Sequence, residues 1–247
     1  IAQCLVGSEM CIRDRYQIMR RYELAAVCET KGHIFQLFWI FIIGCVLGDI
    51  IETIYCFLVT GGTVMNRSSV LYGPFSIVWG AGAVLITVFA IILNRIRFDT
   101  RSVRGRIIIF ITGGIIGGIH EYVASCVTEL LTGAVHWNYS DMAYNISGRT
   151  NLLFCFFWGI AALIWVRCLY PYISGFIAAF PWKIAKTATL IAAVFMIIDI
   201  YISTCSLIRF TERSKNIPAI SRYERFLDEA YPDSLITYIY PDIQIVD

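Results

Sequence analysis

Charge is what this 247-residue chain has least of: 15% of its residues are Asp, Glu, Lys or Arg, while 58% are hydrophobic and the mean hydropathy is +0.69. Soluble domains carry about a quarter charged residues, so the shortage excludes an ordinary soluble fold. Other absences narrow the function. No G-x-x-x-x-G-K-[ST] loop is present, so the chain does not itself cradle the phosphates of ATP. Neither H-E-x-x-H nor G-x-S-x-G occurs, and the three histidines, His33, His120 and His136, lie far apart in sequence. Nothing therefore announces a catalytic residue, a metal site or a cofactor. The nine cysteines contain no C-x-x-C pair; Cys45, Cys56, Cys126, Cys155, Cys168 and Cys205 fall in or beside apolar stretches. They read as small apolar residues rather than ligands or disulfides. No Lys/Arg cluster is interleaved with aromatics, which argues against nucleic acid as a partner.

What the chain does have is long apolar runs, near 34–58, 73–94, 107–131, 151–171 and 184–208. Each approaches the roughly 18–20 residues a helix needs to cross the hydrocarbon of a bilayer. The expected fold is all-α: a polytopic membrane helical bundle of about five transmembrane helices over 34–208, with membrane lipid around it. A polar tail, 209–247, is punctuated by Pro218, Pro232 and Pro241 and reads as a small polar-aromatic appendage, with one amphipathic helix over "ISRYERFLDEAY".

The stretch "CLVGSEMCIRDR" at 4–15 does not resemble a signal peptide, because charges directly follow its short apolar part. It looks like the conceptual translation of a sequencing adapter. Residues 1–15 are accordingly expected to lie outside the native fold, and 16–33 to form a cytoplasmic N-terminal segment with Met19 as a candidate initiator.

Positive charge orients the chain, since cytoplasmic loops are enriched in Lys and Arg. Arg20, Arg21 and Lys31 precede the first span, and Arg95, Arg97, Arg101, Arg104 and Arg106 surround the second connection; the 59–72 and 132–150 loops offer only Arg67 and Arg149. This pattern puts the N-terminus inside and both polar loops outside, with the tail also outside despite its own arginines.

Carboxylates inside such spans cost about 2.5–3.5 kcal/mol on insertion scales and normally face a bundle interior or a water-filled cavity. Glu52 reads as near the outer end of the first span, Glu129 as near that of the third, and Glu121 as deeper. Helical spacing puts Gly44, Gly48, Glu52 and Tyr55 on one face, and Gly114, Gly117, Gly118, Glu121, Ser125 and Glu129 on another. The stripes Ser76, Gly80, Ala83, Thr87 and Asn151, Cys155, Trp158, Ala162 do the same in the second and fourth spans. Small residues permit close helix approach, so the stripes are expected to share one interior. Each glutamate is then either structural, paired with Arg67 or Arg149, or part of a site. His120 and Asp49 point away from their stripes' centres and read as structural; Asp199, alone in the fifth span, is open between the two roles. The polar stretch "WNYSDMAYNISGR" is expected to fold back as a capped lid, with Arg149 neutralising Glu129 or Glu121, or contacting an anionic ligand.

"VWGAGAVLI" at 78–86 and "FWGIAALI" at 157–164 share Trp-Gly and a small-apolar continuation, each preceded by a span with an outer-end glutamate. The match suggests two parallel two-helix repeats with the fifth helix appended, an arrangement that places a site at the repeat interface.

"GDIIETIYC", "NRSSVLYGPFSIVWGAGAVLI" and "HEYVASCVTELLTGAVHWNYSDMAYNISGRTNLLFCFFWG" together resemble the bacterial type IV ABC-transporter permease family called CmpB-like, over roughly 35–175. The W-x-Y-S…N-x-x-G-R loop carries the likeness most specifically. Asn138 stands where the family usually has an acid, and "NRSS" replaces its more usual Arg-Gly after Asn. The resemblance implies a multi-pass subunit of a bacterial plasma membrane transporter, working with a separate ATPase subunit and open to oligomerisation. The 95–106 loop lacks the Glu-Ala-Ala…Gly coupling helix of many ABC importers. The candidate ligand-binding or polar-core residues are Glu52, Arg67, Glu121, Glu129, Trp137, Tyr139, Ser140, Asn145, Arg149 and Asp199. A structural or regulatory membrane protein is the alternative, and an intramembrane enzyme the third reading.

Overall fold

The computed structural model describes residues 32–246; the expectations for 1–15, and for Arg20, Arg21 and Lys31, lie outside the described residues. Among the described residues, five helices are long and apolar enough to cross a membrane. They are α1 (His33–Val59), α2 (Ile77–Arg95), α3 (Val103–Thr132), the composite helix Leu152–Ala179, and α6 (Trp182–Ser214). The fourth is α4 (Leu152–Ile164), which passes through one π-helical turn, Trp165–Leu169, into α5 (Tyr170–Ala179). The chain is thus an all-α polytopic bundle, and a multi-pass membrane protein. Its lipid-facing surface is legible on α3, where Ile107, Ile111, Ile115, Ile119, Val123 and Val127 are all exposed. Spaced every four residues, they form one apolar stripe along the helix.

Local chemistry sets several helix ends. Ser102 accepts a hydrogen bond from the Gly105 amide at the start of α3, and Gly133, at φ 69°, closes its end in the left-handed conformation that glycine adopts without penalty. Asn151 caps α4 by accepting from the Phe154 amide. The last two spans run longer than their apolar cores suggest, to Ala179 and Ser214, because the fourth continues through its π-turn and only Phe180 and Pro181 separate it from α6.

The bundle is two hairpins, α1–α2 and α3–α4, with α6 alongside. A methyl group added at Gly44 would meet the Ala83 Cβ at 2.7 Å, and one at Gly113 the Ala162 Cβ at 2.2 Å. One at Gly48 would meet the Trp79 Cβ at 2.1 Å, and one at Gly117 the Trp158 Cβ at 2.3 Å. Gly80 lies against the Phe41 carbonyl and Gly159 against that of Phe110. Throughout, first-helix partners keep one offset, 41 to 110, 44 to 113 and 48 to 117, and second-helix partners another, 79 to 158, 80 to 159 and 83 to 162. The two hairpins therefore pack in one register, glycine receiving tryptophan and alanine in each. The same offset carries Glu52 onto Glu121 and not onto Glu129, although Glu52 and Glu129 are the two that read as outer-end residues in the sequence. Periodicity assigns a residue to a face; it does not align two helices along their axes.

The α1–α2 and α3–α4 loops and the tail lie at the same end of the bundle, where Arg67 pairs with Asp242 and Asn138 donates to Gln244. The two-residue strands β1 (Ala134–Val135) and β4 (Gln244–Ile245) pair antiparallel, as do β2 (Asn145–Ile146) and β3 (Thr150–Asn151). The tail forms α7 (Arg222–Ala230), opened by a Ser221/Glu224 capping box, and a second helix not anticipated from the sequence, α8 (Asp233–Ile239). Far from an appendage, it packs Leu227, Tyr231, Ile236, Ile239 and Tyr240 with Leu207 of α6 in a second apolar core.

Candidate functional site

The polar loop after α3 is cross-braced. Its Tyr139 amide donates to the Gly148 carbonyl at 2.7 Å, and the Trp137 indole donates to the Arg149 carbonyl at 2.8 Å. Asn145 donates to the Ser140 and Met142 carbonyls and accepts from the Gly148 amide at 2.9 Å. Gly148 itself sits at φ 67°, and a Cβ there would strike the Ser140 Oγ at 2.5 Å. Polar side chains thus satisfy backbone groups that lipid cannot, and the loop folds back over the bundle.

Beneath this lid the Tyr139 hydroxyl donates to Glu121 Oε1 at 2.9 Å, and the Thr150 hydroxyl donates to Oε2 at 2.8 Å. Burial and the adjacent Glu121 push the Tyr139 hydroxyl well above its ordinary range, so it remains a donor. Glu121 is 6% exposed, and among the described residues no Lys or Arg pairs with it. On the matching position of the first hairpin, Glu52 accepts from the Trp79 indole at 2.7 Å and faces Arg67, whose Nε is 3.7 Å from Oε2. Arg67 also pairs with Asp242 of the tail.

These groups border a cavity of about 430 Å³ between the hairpins. Its floor is apolar, with Ile86 of α2 and Trp165 and Leu169 of the π-turn; its roof holds His136, Trp137, Tyr139 and the tail residues Tyr240 and Asp242. Trp79 and Trp158 lie against one another with ring centroids 5.1 Å apart, as the shared register requires. His136, its ring tilted against that of Tyr240 with centroids 5.2 Å apart, is pushed down to about 4 by burial, with Arg67 acting in the same direction, and is neutral at physiological pH. Trp165 donates its indole N–H to Thr87 at 2.8 Å, fixing the floor where α4 changes pitch.

Of the ten residues expected at a site, Glu52, Arg67, Glu121, Trp137 and Tyr139 line this cavity. The others do not. Ser140 and Asn145 brace the lid. Arg149 pairs with Glu129, not Glu121, and donates to Ser125 at 3.2 Å. Asp199, 1% exposed, accepts from the Tyr72 amide and the Ser203 hydroxyl, both at 3.2 Å, and so pins the first loop to α6. Asp49 is buried rather than turned away, and His120 bonds the Val78 carbonyl at 2.8 Å, tying α3 to α2. Tyr240 and Asp242 carried no signal in the sequence, since a tail's docking partner has no local periodicity. Trp79 and Trp158 did, through the repeated Trp-Gly.

The Arg149–Glu129 pair is half-buried, so replacing Arg149 with Gln is expected to cost about 1–2 kcal/mol and lower the folded yield severalfold. A companion Glu129→Gln change should recover part of it. Yields from fluorescence-detected size exclusion decide: a normal yield for the single variant would remove the pair from the lid's support.

The family described as "Putative ABC-transporter type IV" matches residues 39–204, from within α1 to within α6, and stops short of α7 and α8. No curated protein and no solved structure matches the chain.

Proposed function

Because the chain belongs to the family described as "Putative ABC-transporter type IV", we propose that it is the membrane-embedded, permease-like subunit of an ABC-type transporter, holding its substrate in the cavity between the two hairpins. The observation that carries this reading is the placement of Glu52 and Glu121 at equivalent register positions on a shared cavity. Repeats related in this way bring a site to their interface, where each half contributes matching groups. By the distribution of arginines the lid end faces outward and the N-terminus is cytoplasmic, in a bacterial plasma membrane. ATP hydrolysis belongs to a separate subunit, since the chain has no phosphate loop.

The test is co-purification of the tagged chain from its native membrane, followed by reconstitution with the recovered subunits. A protein bearing a G-x-x-x-x-G-K-[ST] loop is expected in the complex, and Glu121→Gln should reduce ATP-driven flux at least tenfold without reducing yield. If no such ATPase accompanies the chain and no flux depends on ATP, the transporter reading fails and a structural or regulatory role takes its place.

A further inference from the structure

We propose that the cavity binds an organic ammonium ion carrying an apolar body, which enters sideways from the membrane between α1 and α4; the proposal rests on the permease reading only for its transport consequence.

The charge balance of the cavity selects a cation. Arg67 is shared between Glu52 and Asp242, while Glu121, among the described residues, meets only the two hydroxyl donors. Counting the four charged side chains on the lining, three carboxylates face one guanidinium. A buried carboxylate without a cationic partner is costly, and a ligand that supplies the missing charge is favoured by that cost. The walls around it are aromatic: the Trp79–Trp158 pair on one side, and Tyr139 stacked on Phe154 at 4.6 Å on another. Carboxylates set among ring faces recognise alkylated ammonium groups better than compact, strongly hydrated ions, because the rings stabilise a cation that sheds its water easily. The apolar floor then accommodates the rest of the molecule, and a volume near 430 Å³ suits a small organic ligand.

The route follows from exposure. Ile51 of α1 and Ile160 and Ile164 of α4 line the cavity, yet they are 45%, 37% and 48% exposed. Residues that both line a cavity and face the surroundings mark an opening, and these lie on apolar helix faces that meet lipid. Above the opening Tyr55 bridges the two helices, its ring 6.4 Å from Phe154 and 6.2 Å from Phe157. The lid and tail close the aqueous end, so the open approach is lateral, and a ligand that partitions into the bilayer can use it.

The experiment uses the full chain in lipid nanodiscs, with benzyltrimethylammonium as probe and neopentylbenzene, its neutral isostere, as comparison. Tryptophan emission reports occupancy, because Trp79, Trp158 and Trp165 border the cavity. The ammonium is expected to bind saturably and at least tenfold tighter than the isostere, a comparison made on unaltered protein. Glu121→Gln should weaken the ammonium about tenfold, whereas Glu229→Gln, an exposed carboxylate on α7, should leave it within twofold. Ile160→Trp should slow association at least fivefold. Equal affinity for the two probes, or an unchanged constant in Glu121→Gln, overturns recognition of the charge; unchanged association in Ile160→Trp overturns the lateral route. Ammonium binding without any ATP-driven flux leaves this site standing and removes the permease reading. ATP-driven flux with no ammonium binding does the reverse.

Discussion

Gly117→Leu is expected to eliminate the folded protein. A Cβ at position 117 would stand 2.1 Å from Cγ of Trp158 and 2.3 Å from its Cβ, and leucine adds three further carbons beyond it. Trp158 cannot yield, since it is 7% exposed and packed against Trp79 and His120. Overpacking a tight core costs about 1–3 kcal/mol for a methylene or two; displacing an indole from between two helices exceeds that, against a total stability of about 5–15 kcal/mol. Gly48→Leu should fail equally, because a Cβ there meets Trp79 at the same separation. Gly175→Ala supplies the contrast: among the described residues nothing lies within 4 Å of the added methyl, and removing a helical glycine gains up to about 1 kcal/mol. Thermal unfolding of the three variants in detergent provides the comparison. Wild-type melting of Gly117→Leu would show that α3 and α4 are not in close contact, and unequal losses at 48 and 117 would break the equivalence of the hairpins.

Arg209→Met should release the tail. Arg209 is 3% exposed and forks onto Asp228, donating from Nε at 3.0 Å and Nη2 at 2.8 Å, with Glu212 accepting from Nη1 at 2.6 Å. Removing one partner of a buried pair costs about 3–5 kcal/mol, largely because the remaining charge is stranded. Here Arg213 still reaches Asp228 at 2.5 Å, so the loss should fall toward the lower end. It is concentrated where α7 and α8 dock on α6, and those elements roof the cavity through Tyr240 and Asp242. Trypsin should therefore cut at Arg222 or Arg225 at least tenfold faster in the variant, while the melting of the five-helix bundle changes little. Adding Asp228→Leu should slow cleavage again, since two apolar groups can replace a buried pair, while Arg213 keeps Asp233 at 2.6 Å and the released Glu212 is 35% exposed. Cleavage at the wild-type rate in Arg209→Met would mean that the apolar core around Leu227 and Ile236 alone holds the tail.

Much of the bundle was readable along the chain. Length and hydropathy located five helices, because a bilayer demands a minimum run of apolar residues whatever surrounds it. Spacing put Gly44 and Gly48, Gly114 and Gly117, and Ser76 with Thr87 on inward faces, all of which are buried, since 3.6 residues per turn is a property of the backbone alone. The lid over 136–149 followed from local chemistry too: Asn145, Ser140 and Gly148 bond to neighbours a few residues away.

Tertiary structure alone decided which of these faces meet, and at what height. Three glutamates sit on inward stripes, but only the packing of Gly48 on Trp79 and Gly117 on Trp158 sets the helices' relative heights, and this brings Glu52 level with Glu121 and leaves Glu129 to Arg149 outside the cavity. The tail's place was equally hidden. Arg67 finds Asp242, and the Tyr72 and Tyr231 hydroxyls meet at 2.7 Å, across most of the chain's length. Faces and caps are short-range consequences of backbone geometry, so sequence order carries them; axial register and long-range docking are set by the simultaneous fit of many side chains, which exists only once the helices are in contact.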